Sequence, residues 1–125
     1  VFIAGVAFIS FIVGGIGIMN IMFATVSERT REIGIRKAIG ATNVQILGQF
    51  VMEAVVLSVF GGILGIVFSL VANGVIRATT DLQPAITPEV AIIVFALSAA
   101  TGIISGLLPA AQAARKDPIA SLRQS

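Results

Sequence analysis

Three stretches of this chain carry no charged residue at all, and their lengths constrain the fold more than any other feature of the sequence. They are Val1 to Ser27, Ala54 to Ile76 and Val90 to Ala114, of 27, 23 and 25 residues. A helix needs about 20 apolar residues to cross roughly 30 Å of hydrocarbon, so each window is long enough to span a membrane. Composition agrees, because 11% of the residues are charged where an ordinary soluble domain has about 25%. A soluble fold would have to cover this apolar surface with amphipathic partners, and eight Lys and Arg with six Asp and Glu in 125 residues cannot supply them. The expected fold is therefore an all-α membrane protein with three transmembrane helices. The first window lacks a basic leader and is too long for the apolar region of a secretory signal. The missing initiator Met suggests a piece of a longer protein. The absence of Cys and His removes disulfides, thiolate chemistry and the commonest zinc ligands, so no catalytic residue, metal site or nucleic-acid partner is expected.

Orientation follows from the basic residues. Arg29, Arg31, Arg36 and Lys37 lie in the first polar loop, and Arg115, Lys116 and Arg123 lie in the C-terminal tail. The loop between the second and third windows has Arg77 alone. Seven against one places the first loop and the tail in the cytoplasm. Six charges crowd into Glu28 to Lys37, and burying them at the bilayer centre would cost on the order of 15 kcal/mol. Between Ala54 and Ile76, fourteen Val, Leu, Ile and Phe residues favour insertion by roughly 4 to 8 kcal/mol. No Trp or Tyr is present to form an interfacial belt, so charges and Phe set the depth.

Local signals mark the helix boundaries. Thr42 and Gln45 have the spacing of a capping box, predicting a helix that restarts at 42 and runs to 76. At 1.5 Å per residue such a helix is about 51 Å long, so its first turns belong to the interface. Thr87, Pro88 and Glu89 form a third helix start, with a capping hydroxyl, a proline at the first position and an acid on the positive helix end. Pro109 lacks a donor and clashes with the preceding turn, which predicts a bend or an end of the third span near 109. Asp117 and Pro118 open a short C-terminal helix in the tail. The resulting map is a span over 1–26, a polar helix over 27–41, an interfacial start and span over 42–76, a loop over 77–89, a span over 90–109 and a tail over 110–125.

The charged patch supports two readings. In one it is a basic anchor for anionic headgroups. In the other it is a docking helix: Glu32 and Arg36 pair at i,i+4, Glu28 with Arg31 and Arg29 with Glu32 pair at i,i+3, and Ile35 and Ile39 fill a partner's groove. The glycines carry a second signal. Gly61 with Gly65 and Gly102 with Gly106 are spaced as GxxxG, which lets backbones approach closely in lipid, within one chain or between two copies. Gly14, Gly15, Gly17 and Gly62 are further candidates for close packing, and Asn20 for a hydrogen bond between helices. The run Gly14 to Asn20 lies inside a span and lacks the strand, turn and helix of a nucleotide loop, and no phosphate-binding GxxxxGK[ST] occurs. Glu53, at the cytoplasmic end of a span, is expected to pair with a loop arginine rather than to carry a proton or ion.

GGIGIMNIMFATVSERTREIGIRKAIGAT, QFVMEAVVLSVFGGILGI and TGIISGLLPAAQAARKDPIASLR, in that order, closely resemble the C-terminal half of the FtsX-like permeases of ABC transporters, especially the MacB type. The resemblance covers nearly the whole chain. It implies the last three membrane helices of a permease in the inner membrane, preceded in the family by a first helix and a large extracytoplasmic domain. It implies that Glu28, Arg29, Arg31, Glu32, Arg36 and Lys37, with Ile35, form the element that couples to a partner ATPase. Arg115, Lys116, Asp117 and Pro118 would be a second contact. ATP and Mg would be bound by that ATPase rather than by this chain. A permease dimer and membrane lipid are implied as partners, and a periplasmic adaptor is compatible with the resemblance. The function expected is transmission of ATP-driven motion to the external domain, for export or signalling. The alternatives are a non-enzymatic scaffold held on anionic lipid, or a transmembrane component of a vitamin-uptake transporter, which would be expected to have more spans.

Overall fold

The computed structural model of the chain describes residues 1–115. These residues form four helices: α1 (Phe2–Glu28), α2 (Thr30–Ala38), α3 (Asn43–Thr79) and α4 (Pro88–Ala114). No strand occurs among the described residues. Helices α1, α3 and α4 are each long and apolar enough to cross a membrane, and α2 is a nine-residue polar helix at one end of them. The C-terminal helix expected at Asp117 and Pro118 lies outside the described residues.

The sequence signals at the helix starts are realised in full. The Thr42 hydroxyl accepts from the Gln45 amide at 3.2 Å, and the Gln45 side chain accepts from the Thr42 amide at 3.0 Å. The Thr87 hydroxyl accepts from the Val90 amide at 3.3 Å, with Pro88 in the first turn of α4. Helix α3 has 37 residues, about 55 Å at 1.5 Å per residue, and overshoots the hydrocarbon as expected. It ends at Thr79 rather than 76, three residues late, because Arg77 suits the negative end of the helix. The Arg77 guanidinium also donates to the Pro84 carbonyl at 2.8 and 3.2 Å, tying the return loop to the last turn.

Pro109 neither ends α4 nor marks the edge of its packing. The helix continues to Ala114. Pro109, Ala110, Ala113 and Ala114 are all buried, and packing of that last turn offsets the hydrogen bond that proline removes.

Helices α3 and α4 pack along each other, and α1 lies mainly on α4, touching α3 little. In lipid there is no hydrophobic drive to bring helices together, so contact depends on small residues that let backbones close. Gly102 and Gly106 do this for α4. A methyl group on Gly102 would sit 2.7 Å from the Val55 Cα, and one on Gly106 would sit 2.5 Å from the Ala54 Cβ. The Ser58 hydroxyl donates to the Ser98 carbonyl across the same seam. The buried core gathers at the end of the bundle that carries α2. There Met22 and Val26 of α1 meet Ile33 of α2, Ile46, Phe50 and Ala54 of α3, and Ala110, Ala113 and Ala114 of α4. Toward the other end the large apolar side chains, from Phe2 to Ile9 and from Val67 to Ile76, are exposed, a surface suited to lipid rather than water.

Candidate functional site

The charged patch folds as a break, a short helix and a stop. Arg29 separates α1 from α2 with φ −100° and ψ 16°, so the chain leaves the helical path for one residue. The hydroxyl of buried Thr30 satisfies part of the interrupted ladder by donating to the Val26 and Ser27 carbonyls at 3.1 and 2.9 Å. At the other end Gly40 adopts φ 109°, a left-handed conformation that glycine tolerates best. The Gly40 amide donates to the Lys37 carbonyl at 3.2 Å and the Ala41 amide to the Arg36 carbonyl at 2.9 Å, the two bonds of a Schellman cap. The polar helix is therefore 30–38, shorter than the 27–41 expected. Glu28 belongs to the last turn of α1, which separates it from Arg31 by the break, so the i,i+3 relation assumes a continuous helix that does not exist.

The patch then divides into two faces. Arg29 donates to Glu32 at 2.9 and 3.2 Å, to Glu53 of α3 at 3.0 Å, and lies 5.4 Å from the centre of the Phe50 ring. The pair with Glu53 is the loop arginine and interfacial acid that the sequence led us to expect. Arg36 donates to Gln49, whose amide in turn donates to Glu53 at 3.4 Å, and Arg36 also approaches Glu32 at 3.4 Å. Lys37 donates to the Ala114 carbonyl at the end of α4. Glu28, Arg31, Ile35 and Ile39 are exposed away from these bonds, Glu32 is exposed while bonded to Arg29 and Arg36, and Arg115 is exposed at the end of α4. Lys116, Asp117 and Pro118 lie outside the described residues.

The electrostatics follow this geometry. Hydrogen bonds to Glu32 and then Glu53 raise the Arg29 pKa above the ordinary guanidinium range. The hydrogen bond from Arg29 holds Glu32 below the ordinary carboxylate value. Sequence reasoning missed Phe50 and Gln49 as partners. Their signal was present, since Gln49 precedes Glu53 by one helical turn and Phe50 lies between them in sequence.

The glycine candidates do not behave alike. Gly102 and Gly106 face α3, Gly62 faces Ser98, and Gly15 faces Ser105 and Thr101. Gly14, Gly17, Gly61 and Gly65 meet nothing within 4 Å where a side chain would begin, and Asn20 is exposed. Among the described residues these four glycines open onto space rather than onto a neighbouring helix. Gly14, Gly61 and Gly65 instead line an apolar groove of about 500 Å³ between α1, α3 and α4.

Comparison with known proteins gives this geometry a context. The pattern of the FtsX-like permease C-terminal family matches residues 4–118. The pyoverdine export ATP-binding/permease protein PvdT of Pseudomonas syringae pv. tomato is 52% identical over 120 residues, which is 96% of this chain and 18% of that protein. The macrolide export ATP-binding/permease protein MacB of Pasteurella multocida is 47% identical over 123 residues, 98% of this chain and 19% of its own length. MacB of Agrobacterium fabrum is 46% identical over 121 residues, with 96% and 19% coverage. The chain thus spans about a fifth of the length of the curated relatives it matches. Their names join permease to ATP binding. With three membrane-crossing helices and a match over most of its residues, the chain belongs to the FtsX-like permease C-terminal family, as a multi-pass cell-membrane segment of an ABC-transporter permease.

Proposed function

We propose that this segment transmits motion from a partner ATPase across the membrane, receiving it on the exposed face of α2. The observation that carries the reading is the division of the charged patch: Arg29, Arg36 and Lys37 bind α3 and α4, while Glu28, Arg31, Ile35 and Ile39 remain outward. A face that mixes both charge signs with apolar side chains suits a protein groove, where charges fix register and Ile supplies buried area. A headgroup anchor needs only positive charge, and two of the four basic side chains of 28–37 that it would use are bonded to α3. The basic bias of this end places it in the cytoplasm, and the bond from Lys37 to Ala114 puts the end of α4 beside α2. Arg115, Lys116, Asp117 and Pro118 then form the second part of the contact. The ATPase binds ATP and Mg and does the chemistry; this segment only moves. Closure of the ATPase displaces α2, and the displacement passes along α3 and α4 to the far side, where it serves export or signalling. A second permease copy and surrounding lipid complete the assembly.

The test exchanges two outward charges, Glu28→Arg with Arg31→Glu, in the full-length protein. Net charge is unchanged, so a lipid anchor tolerates the exchange. Like charges set against a partner can cost several kcal/mol, so docking should weaken by about a hundredfold or more. Normal ATPase association, with normal ATP turnover in liposomes, rules out docking and leaves the anchor.

A further inference from the structure

The link between α2 and the membrane helices is made almost entirely by side chains. The backbone of α2 comes near α3 and α4 at few points. Beside the buried Ile33 and the bond from Lys37 to the Ala114 carbonyl, the link is a closed ring: Arg29 to Glu53, Glu53 to Gln49, Gln49 to Arg36, Arg36 to Glu32, and Glu32 back to Arg29. The ring grips α2 at both ends and grips α3 across one turn, with Phe50 beneath the Arg29 guanidinium. Arg29 itself stands at the α1–α2 break, the residue where rotation of α2 costs least regular structure. The Arg29 side chain is 28% exposed and that of Glu53 36%, so both are turned partly inward.

We propose that Arg29 and Glu53 are a clasp that sets the angle of α2 on α3, making α2 a lever fixed to α3 and hinged on α1. Arg29 is then a positioning residue, although it lies within the patch that the family resemblance assigns to partner contact. The planar fork of arginine is what the position requires, because it reaches two carboxylates on different helices while lying over an aromatic ring. A lever whose angle is fixed passes a push into the α3–α4 pair; a lever freed from Glu53 keeps Ile33 in the core and the bonds of Arg36 and Lys37, but tilts more easily about the break and moves α3 less. The proposal rests on the docking reading above.

Two measurements on the full-length protein separate the roles. Docking is read by photo-cross-linking from a benzophenone side chain placed at Ile35, which is exposed. Transmission is read as the change in distance between nitroxides at Phe2 and Leu82, both exposed at the opposite end of the bundle, when ATP and vanadate are added. Glu53→Gln removes the ionic half of the clasp from a residue outside α2. Its cross-linking should stay within about twofold of wild type, as for a site independent of the contact, while the distance change falls by about threefold or more. Arg29→Gln should behave in the same way, and Arg29→Lys should fall between, since it keeps the charge without the fork. A distance change that is undiminished in Glu53→Gln and Arg29→Gln overturns the proposal. So does a loss of cross-linking that parallels the loss of movement, because the pair then belongs to the docking surface. Absence of both signals in the unsubstituted protein refutes the docking reading itself, and this proposal with it.

Discussion

Two pairs of glycines in this chain have the same spacing and opposite surroundings. Gly102 and Gly106 of α4 press against the backbone of α3, whereas Gly61 and Gly65 of α3 face open space in an apolar groove. Spacing permits close approach in lipid, but the neighbour decides whether it happens. The difference follows from the face that each pair occupies. Gly102 and Gly106 face α3, whereas Gly62, beside Gly61, meets Ser98 of α4 while Gly61 and Gly65 turn toward the groove. The ring of polar side chains and the apolar core both occupy the end that carries α2. One end of the segment thus carries the buried core and the polar ring, and beyond it a groove opens between the helices.

The largest effect should come from filling the closed pair. Leu at Gly102 or Gly106 must displace α3 backbone or Ala54, an overpacking that costs about 1 to 3 kcal/mol or more. Leu at Gly61 or Gly65 starts in open space, with no atom of the described residues within 4 Å of its Cβ, and should disturb the three-helix packing far less. Thermal unfolding of the purified full-length protein tests the contrast. Equal loss for all four would mean that another helix closes on Gly61 and Gly65 in the full assembly, and equal tolerance would show that α3 and α4 do not pack as described.

These two pairs also mark where sequence stops being legible. Signals that act within a few residues read correctly. The uncharged windows became spans, Thr42 with Gln45 became a capping box, and Thr87 with Pro88 became a helix start. The pairing of Glu53 was legible as well, because an acid at a membrane boundary needs a cation and the loop supplied four. What could not be read was the packing decided by helices distant in sequence. Pro109 suggested a bend or an end, and the helix continues through it with Ala110, Ala113 and Ala114 buried beyond. In the patch itself, the turn at Arg29 and the three partners Gln49, Phe50 and Glu53 decide which way Arg29 and Arg36 face.

A third glycine sharpens the comparison at the end that carries α2. Gly40 is constrained by its own backbone rather than by a neighbour: nothing lies within 4 Å, yet φ is 109°. Gly48 is equally open, with an ordinary helical backbone. Gly40→Ala should therefore destabilise by about 1 to 2 kcal/mol through the left-handed strain, while Gly48→Ala should be neutral or stabilise by up to about 1 kcal/mol, since alanine favours helix. Thermal denaturation of the two variants side by side gives the answer. If Ala is tolerated at 40, the Schellman cap does not set the end of α2, and the ring must hold that end alone.

The smallest effect concerns Glu32, the member of the ring most exposed to solvent. Its carboxyl is held below the ordinary value of 4.5 chiefly by the hydrogen bond from Arg29. A lowered folded value means that the ionised group stabilises the fold above pH 4.5 and that this contribution fades as pH falls through the lowered value. The side chain is 48% exposed, so water and salt screen the pair and its contribution should not exceed about 1 kcal/mol. Glu32→Gln mimics the protonated acid at every pH. Comparing thermal stability of Glu32→Gln and wild type from neutral pH downward should show wild type ahead at pH 7, with the gap closing below pH 4.5 and narrowing in high salt. A gap that ignores both pH and salt would show that Glu32 acts by shape alone, leaving Arg29 held to the ring by Glu53 as its one ionic partner.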